Sequence, residues 1–161
     1  MPKLPLPPGS TIGILGGGQL GRMLALAAGR LGFDVAILEP EPGAPATRVA
    51  AHTVVGAYDD PKALEALSKL ARVVTFEFEN VPAASVEHLT SLGVAVAPGA
   101  RALAVAQDRV EEKTFLNDAG VATVAFAAAD SAQAAQAAME GLGAPALMYL
   151  AAAGVGTIAS P

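Results

Sequence analysis

A glycine-rich segment near the N-terminus has the residue types and spacing to bind a phosphate. Gly16–Gly21 reads Gly-Gly-Gly-Gln-Leu-Gly, which fits G-x-G-x-x-G, and it follows a short apolar run. When such a turn opens a helix, backbone N–H groups and the helix dipole can receive an anion. Glu39 lies 23 positions after Gly16, where a dinucleotide-binding fold places its ribose-binding acid. Three alternatives stay open: a dinucleotide site, a site for another phosphate, and a turn without a ligand.

A second group, Glu77-Phe78-Glu79-Asn80, places polar side chains at the end of another apolar run. Carboxylates at the carboxyl end of a parallel strand point into the crevice where open α/β sheets bind ligands. A nicotinamide enzyme has no evident use for two acids there. Solvated charge is the alternative for Glu79, and less so for Glu77, which lies between two phenylalanines.

A third group is Arg109 and Lys113, which are one turn apart on a predicted helix. Two cations at this spacing could clamp a phosphate. The spacing alone favours a simpler alternative, an exposed ion pair between this helix's cations and Glu112. His52 and His88 have no partner at metal-ligand or triad spacing, and we assign them no role.

Alternating strands and helices are predicted to position these groups. The predicted strands are Thr11–Leu15, Phe33–Leu38, Thr53–Gly56, Val73–Phe78 and Val94–Val96. The predicted helices between them are Gln19–Leu31, a helix from Pro61 that is N-capped by Asp60, and Pro82–Leu92. Parallel neighbours need crossovers, and right-handed crossovers put helices on the faces of the sheet. We therefore expect an α/β fold, a doubly wound parallel sheet, over residues 11–100.

The first predicted helix carries apolar residues at intervals of three and four, which indicates one buried face. The residues of this stripe are Leu20, Met23, Leu24, Ala27, Ala28 and Leu31. Gly32 is expected to end the helix as its C-cap.

The chain is predicted to have three parts: a proline-rich lead over residues 1–10, the sheet domain over 11–100, and a further segment over 101–161. In the last part, Arg101–Asn117 indicates two helices broken near Gln107-Asp108, and Thr123–Phe126 indicates an extended segment. Ser131 is expected to N-cap a helix over Ala132–Leu142. Residues 144–161 are largely apolar, are interrupted by glycines and carry no charge.

The composition excludes several classes of protein. The chain has 161 residues, a formal net charge of −5 and no cysteine. The acidic balance argues against nucleic-acid binding, which needs clustered Lys and Arg. No apolar run approaches the roughly 20 residues that span a bilayer, and the N-terminus is too rich in proline for a signal peptide. We expect a soluble cytoplasmic protein that binds neither membrane nor nucleic acid.

Taken together, these residues resemble the N-terminal part of the 5-(carboxyamino)imidazole ribonucleotide synthases, ATP-grasp enzymes of bacterial and fungal purine biosynthesis. The resemblance covers about residues 11–147 and is carried by motifs in the family's order and spacing. These motifs are Ile12–Met23, Asp59–Pro61, Val74–Pro82, and Gln107-Asp108-Arg109 followed by Lys113. The resemblance implies a pre-ATP-grasp domain followed by the beginning of an ATP-grasp central domain. It also implies ATP-dependent carboxylation of 5-aminoimidazole ribonucleotide by bicarbonate, with magnesium.

The resemblance also implies roles for individual residues. It places the ribonucleotide against Gly18, Gln19 and Leu20 and against Glu77, with Glu79 and Asn80 shaping the same crevice. It places Arg109 on ATP, and we add Lys113 to the same ATP-binding group. Under this interpretation Glu39 has no nicotinamide role.

The C-terminal part departs from the family's pattern. A member would continue from Gly143–Ala146 into a strand with a phosphate-binding lysine and a glycine-rich lid, whereas here Tyr149 stands at the lysine position. Ala151–Pro161 has glycines but no cation, and the acids that bind magnesium are missing from the chain. Phosphoryl transfer depends on positioned cations and metal ions. We therefore interpret the chain as truncated and expect it to lack turnover alone.

Two other functions remain open from the residues themselves. One is a stand-alone nucleotide-binding module without turnover. The other is an NAD-dependent oxidoreductase, which the glycine motif and Glu39 favour and the Glu77–Asn80 group opposes. The sequence is also compatible with a homodimer, and it leaves open whether a second chain supplies the missing domain.

Overall fold

A five-stranded parallel sheet forms the centre of the N-terminal unit. The computed structural model describes residues 5–142. The strands are β1 (Thr11–Leu15), β2 (Asp34–Glu39), β3 (His52–Val55), β4 (Val73–Phe76) and β5 (Ala95–Val96). Their order across the sheet is β3-β2-β1-β4-β5, and every neighbouring pair is parallel. The predicted doubly wound α/β class is confirmed.

Helices connect the strands and continue beyond them. They are α1 (Gln19–Arg30), α2 (Pro61–Leu70), α3 (Ala83–Ser91), α4 (Ala100–Gln107), α5 (Arg109–Asp118) and α6 (Ala132–Leu142), with one 3₁₀ turn at Pro45–Arg48. The chain divides into two compact units, Met1–Ala104 and Val105–Pro161. The sheet and its connecting helices belong to the first unit.

Alternating side chains of the central strands build an apolar core on each face of the sheet. Ile14 and Ile37 belong to the core that contains Ala25 and Ala28 of α1. Leu15, Leu38 and Val74 belong to the other core, with the buried leucines and valine of α2 and α3. Burial on both faces explains why these strands are almost continuously apolar in sequence.

Helix α1 packs through a different face from the predicted one. Of the predicted stripe only Ala28 is buried, while its large side chains are between 42% and 70% exposed. The buried residues of α1 are Gly21, Ala25 and Ala28, a stripe about 100° around the helix from the predicted one. Small residues let the helix lie close to the sheet. The prediction that the large apolar residues form the buried face of α1 is therefore wrong.

Most predicted boundaries agree with the structure to within two residues. Asp60 N-caps α2 by accepting a hydrogen bond from the Lys62 amide at 3.0 Å. The Ser131 hydroxyl accepts from the Ala134 amide at 3.2 Å, which confirms the cap of α6. Strand β4 ends at Phe76 rather than Phe78, because the chain bends at Glu77 and Phe78.

The predictions for the C-terminal segment have mixed outcomes. The break between α4 and α5 falls at Asp108, as predicted. Thr123–Phe126 contains no regular helix or strand. The predictions about Tyr149 and about the apolar segment 144–161 lie outside the described residues.

Candidate functional site

The order of the strands creates a crevice beside β1. Successive strands run from β1 through β2 to β3 on one side, and the chain then crosses to β4 on the other side. Open α/β sheets bind ligands at such a reversal, at the carboxyl ends of the strands. Here those ends carry the glycine turn after β1, Glu39 at the end of β2, and Glu77 just after β4. The fold thus brings together the first two groups singled out in the sequence.

Glu77 caps the N-terminus of α1 from a distant part of the chain. The Gly18 amide donates to Oε1 of Glu77 at 3.1 Å, and the Gly21 amide donates to Oε2. The N-cap residue of the helix is Gly18, which has no side chain to satisfy these donors. A carboxylate at this end of a helix also interacts favourably with the helix dipole.

The glycines of the motif make room for two glutamates. A Cβ at Gly16 or Gly18 would collide with the Glu77 side chain, and one at Gly17 would lie 2.7 Å from Cγ of Glu39. Gly16 also has φ of +114°, a conformation that disfavours other residues. The glycine spacing, which predicts a phosphate-binding turn, therefore leaves space in this structure for the Glu39 and Glu77 carboxylates of the chain itself.

Two donors of the turn remain open beside Glu77. Gln19 and Leu20 occupy the first two positions of α1, and both residues are exposed. Their backbone N–H groups donate to no acceptor among residues 5–142. The first N–H groups of a helix have no partner within the helix, so these two can bind an oxygen of a ligand.

Glu39 is engaged by donors from three parts of the chain. Its Oε2 accepts from the Gly17 amide at 2.6 Å and from the Tyr58 hydroxyl at 2.7 Å, and its Oε1 accepts from the Glu41 amide at 3.1 Å. Burial raises the pKa of Tyr58, and the hydrogen bond to Glu39 and the charges of Glu39 and Glu77 raise it further. These three hydrogen bonds occupy most of the acceptor positions of the Glu39 carboxylate. They therefore conflict with the possibility that Glu39 binds the ribose of a dinucleotide.

Tyr58 was not singled out from the sequence. Its ring meets Phe78 edge to face, with centroids 5.3 Å apart. A tyrosine shortly after a predicted strand is the only sequence signal, and its partners come from two other loops. Glu79 and Asn80 follow Phe78 and are exposed, so their predicted place in the crevice remains a prediction.

Arg109 and Lys113 lie in different surroundings on α5. Arg109 forms an exposed ion pair with Glu112, the simpler alternative weighed from the spacing. Lys113 is buried, and its Nζ lies 5.4 Å from the centroid of the Phe126 ring. Their proposed contact with ATP remains a prediction.

Neither a metal centre nor a membrane segment is present in the described part of the chain. Between residues 5 and 142, no three His, Asp or Glu side chains converge as metal ligands. No helix within the same range is long and apolar enough to cross a membrane.

Comparison with known proteins gives a consistent result. Residues 10–107 match the family described as ribonucleotide synthetase preATP-grasp domain. N5-carboxyaminoimidazole ribonucleotide synthase of Brucella melitensis is 50% identical over 143 residues, which is 89% of this chain and 39% of that protein. The chain therefore spans about two fifths of the length of this relative.

Solved structures show the same partial coverage. N5-carboxyaminoimidazole synthetase from Staphylococcus aureus, in complex with ADP, has a TM-score of 0.78 at 38% identity; the match covers 84% of this chain and 36% of that one. The Aspergillus clavatus synthase, in complex with ADP and 5-aminoimidazole ribonucleotide, has a TM-score of 0.75 at 31% identity, covering 85% and 37%. The chain belongs to the family of ribonucleotide synthetase preATP-grasp domains, and it corresponds to the N-terminal part of relatives named N5-carboxyaminoimidazole ribonucleotide synthase.

Proposed function

We propose that this chain supplies the ribonucleotide-binding part of a ligase that carboxylates 5-aminoimidazole ribonucleotide with bicarbonate and ATP. The observation that carries the proposal is the position of Glu77. Its carboxylate lies at the strand-order reversal, held by the amides of Gly18 and Gly21 beside two open N–H groups. The relative from Aspergillus clavatus, which contains the ribonucleotide, supports the choice of ligand.

Glu77 retains acceptor capacity for a ligand. A carboxylate offers about four lone-pair positions, and each Glu77 oxygen accepts one hydrogen bond within the described chain. The remaining positions suit the two hydroxyls of a ribose or an exocyclic amine. The amides of Gln19 and Leu20 can donate to an uncharged acceptor of the same ligand, a ribose hydroxyl oxygen or a ring nitrogen.

The same contacts weigh against an NAD-dependent oxidoreductase. A diphosphate at the start of α1 would meet the negative charge of Glu77, which already accepts from Gly18 and Gly21. Glu39, the acid that would bind the ribose of NAD, accepts from three donors of its own chain. The diphosphate and the Glu77 carboxylate would repel each other. If NAD displaced either carboxylate, the N–H and O–H groups that now donate to it would need new acceptors.

The remaining assignments are made by resemblance. We propose that Arg109 binds ATP after exchanging its partner Glu112 for a phosphate, because guanidinium groups pair well with phosphate. Lys113, Glu79 and Asn80 keep their predicted roles beside ATP and the ribonucleotide. Magnesium, bicarbonate, a cytoplasmic location and a homodimer belong to the same proposal for the complete enzyme.

Titration calorimetry tests the proposed ligand. We expect the chain to bind 5-aminoimidazole ribonucleotide weakly and NAD not at all. Binding of the ribonucleotide is weak because this chain spans about two fifths of its relative's length and offers the ligand fewer contacts to offset the entropy lost on binding. Glu77→Gln should weaken ribonucleotide binding at least about tenfold, since a charged acceptor and part of the cap are lost. Glu87→Gln is the matched control, because Glu87 is exposed on α3 and its carboxylate forms no hydrogen bond or ion pair within residues 5–142.

Two results would overturn the proposal. One is NAD binding that is lost in Glu39→Ala. The other is ribonucleotide binding that is the same in wild type and in a folded Glu77→Gln variant. Thermal unfolding of each variant establishes that it is folded before the titration.

A further inference from the structure

Glu39 and Tyr58 link three loops at the carboxyl edge of the sheet. Glu39 ends β2 and holds the Gly17 amide, which belongs to the turn after β1. Tyr58 follows β3, donates its hydroxyl to Glu39 at 2.7 Å, and packs its ring against Phe78 at 5.3 Å. Phe78 directly follows Glu77 in the chain. The contacts thus run from the glycine turn through Glu39 and Tyr58 to the segment that carries Glu77.

This link complements the contact that Glu77 makes with the turn. Glu77 holds the turn from the β4 side through Gly18 and Gly21, whereas Glu39 holds it from the β2 side through Gly17. The Tyr58–Glu39 hydrogen bond is charge-assisted and partly buried, which makes it stronger than a neutral surface bond. The turn is therefore fixed from both sides, and Tyr58 joins the two sides.

We propose that Glu39 and Tyr58 are positioning residues of the ribonucleotide site, a role that rests on the proposed function above. They hold the glycine turn and the Glu77 segment so that the Gln19 and Leu20 amides and the Glu77 carboxylate face one ligand. Neither residue needs to touch the ribonucleotide. Small displacements at a binding site reduce affinity because each hydrogen bond depends on distance and angle.

Binding measurements on a double-mutant cycle test the proposal. Tyr58→Phe keeps the ring contact with Phe78 and removes only the hydroxyl, so we expect ribonucleotide affinity to fall about fivefold. Glu39→Gln should weaken binding by about tenfold, because an amide cannot replace the charge or accept from all three donors. The double variant should be within about twofold of Glu39→Gln, since both changes break one link. Glu87→Gln should bind as the wild type does.

A pH titration of Tyr58 tests the Tyr58–Glu39 contact without a ligand. The chain has two tyrosines, so in a Tyr149→Phe background the ultraviolet signal of phenolate reports Tyr58 alone. The Glu39 carboxylate raises the pKa of Tyr58 through a hydrogen bond and through its charge. Glu39→Gln should therefore lower the pH at which Tyr58 ionises, and Glu87→Gln should leave it unchanged. A role of the Tyr58 ring in packing alone would not produce this difference.

The outcomes separate this proposal from the proposed function. If the wild-type chain does not bind the ribonucleotide, the proposed function fails and the positioning role falls with it. If the wild type binds and Tyr58→Phe binds equally tightly, the positioning role is wrong while the proposed function stands. Additive losses in the double variant would also overturn it. If Glu39→Gln does not fold, the affinity of Tyr58→Phe for the ribonucleotide, compared with that of the wild type, tests the positioning role alone.

Discussion

Glu77 is the residue on which the glycine turn and the proposed site both depend. It supplies the cap that Gly18 cannot supply, and Gly16, Gly18 and Gly21 all lie against its side chain. The sequence pattern correctly predicted a tight turn at the start of a helix. It could not reveal that a carboxylate 59 positions after Gly18 fills the turn, because phosphate and carboxylate use the same N–H groups.

Gly16→Ala is predicted to destabilise the chain. The added Cβ collides with Glu77 and the residue has φ of +114°, so we expect a loss of about 1–3 kcal/mol in the free energy of unfolding. Gly29→Ala is the control on the exposed side of α1, where a Cβ meets no atom of the described chain within 4 Å. It should leave stability unchanged or raise it by up to about 1 kcal/mol. Urea unfolding checks both, and equal stability of the two variants would contradict the packing described for Gly16.

The raised pKa of Tyr58 should make the free energy of unfolding depend on pH. Its pKa is raised in the folded chain by burial and by Glu39, so folding favours the protonated phenol. The stabilisation is complete below the ordinary tyrosine pKa of about 10 and is lost as the pH rises above it. We expect wild-type stability to decline more steeply than that of Tyr58→Phe as the pH rises above about 10. Parallel decline of the two proteins in urea unfolding at these pH values would show that Tyr58 ionises normally.

At the scale of the element, the strands and caps followed from local sequence while the packing face of α1 did not. Short apolar runs predicted the five strands, and Asp60-Pro61 predicted the start of α2. The apolar stripe of α1 failed because close approach to the sheet selected Gly21, Ala25 and Ala28. Periodicity shows which residues share a face, and neighbouring elements decide which face is covered.

A matched pair of substitutions tests the packing of α1. Ala25 is buried against the sheet, so Ala25→Leu should overpack the core and destabilise the chain by about 1–3 kcal/mol. Leu24→Gln lies next to it on the exposed side and should change stability by less than about 0.5 kcal/mol. Chemical unfolding measures both at low protein concentration. The opposite order of effects would mean that the large apolar residues of α1 face the sheet.

For the whole molecule, the sequence could predict the alternation of strands and helices and the motifs at their ends. It could not give the strand order that places β4 beside β1, which is what joins Glu77 to the glycine turn. Nor could it predict that Tyr58 and Phe78 meet, because their contact spans two loops that approach only in the folded sheet. The resemblance to the synthases suggests the proposed ligand, and the fold shows which groups lie together at the proposed site.

We predict that the purified chain alone does not carboxylate 5-aminoimidazole ribonucleotide. The resemblance implies that Tyr149 replaces the family's phosphate-binding lysine, and phosphoryl transfer needs positioned cations. The assay measures product formed in the presence of ATP, magnesium and bicarbonate against a control without protein. ATP-dependent product above that control would contradict this prediction.

The central claim is that the ribonucleotide binds where the glycine turn meets Glu77. Amide chemical-shift mapping of the ¹⁵N-labelled wild-type chain during titration with 5-aminoimidazole ribonucleotide tests it most directly, because the method detects weak binding at each residue. The account predicts saturable shifts centred on Gly18–Leu20 and Glu77–Asn80, and no comparable shifts when NAD is added. Ribonucleotide shifts centred elsewhere, or NAD-induced shifts centred on Glu39 and the turn, would contradict it.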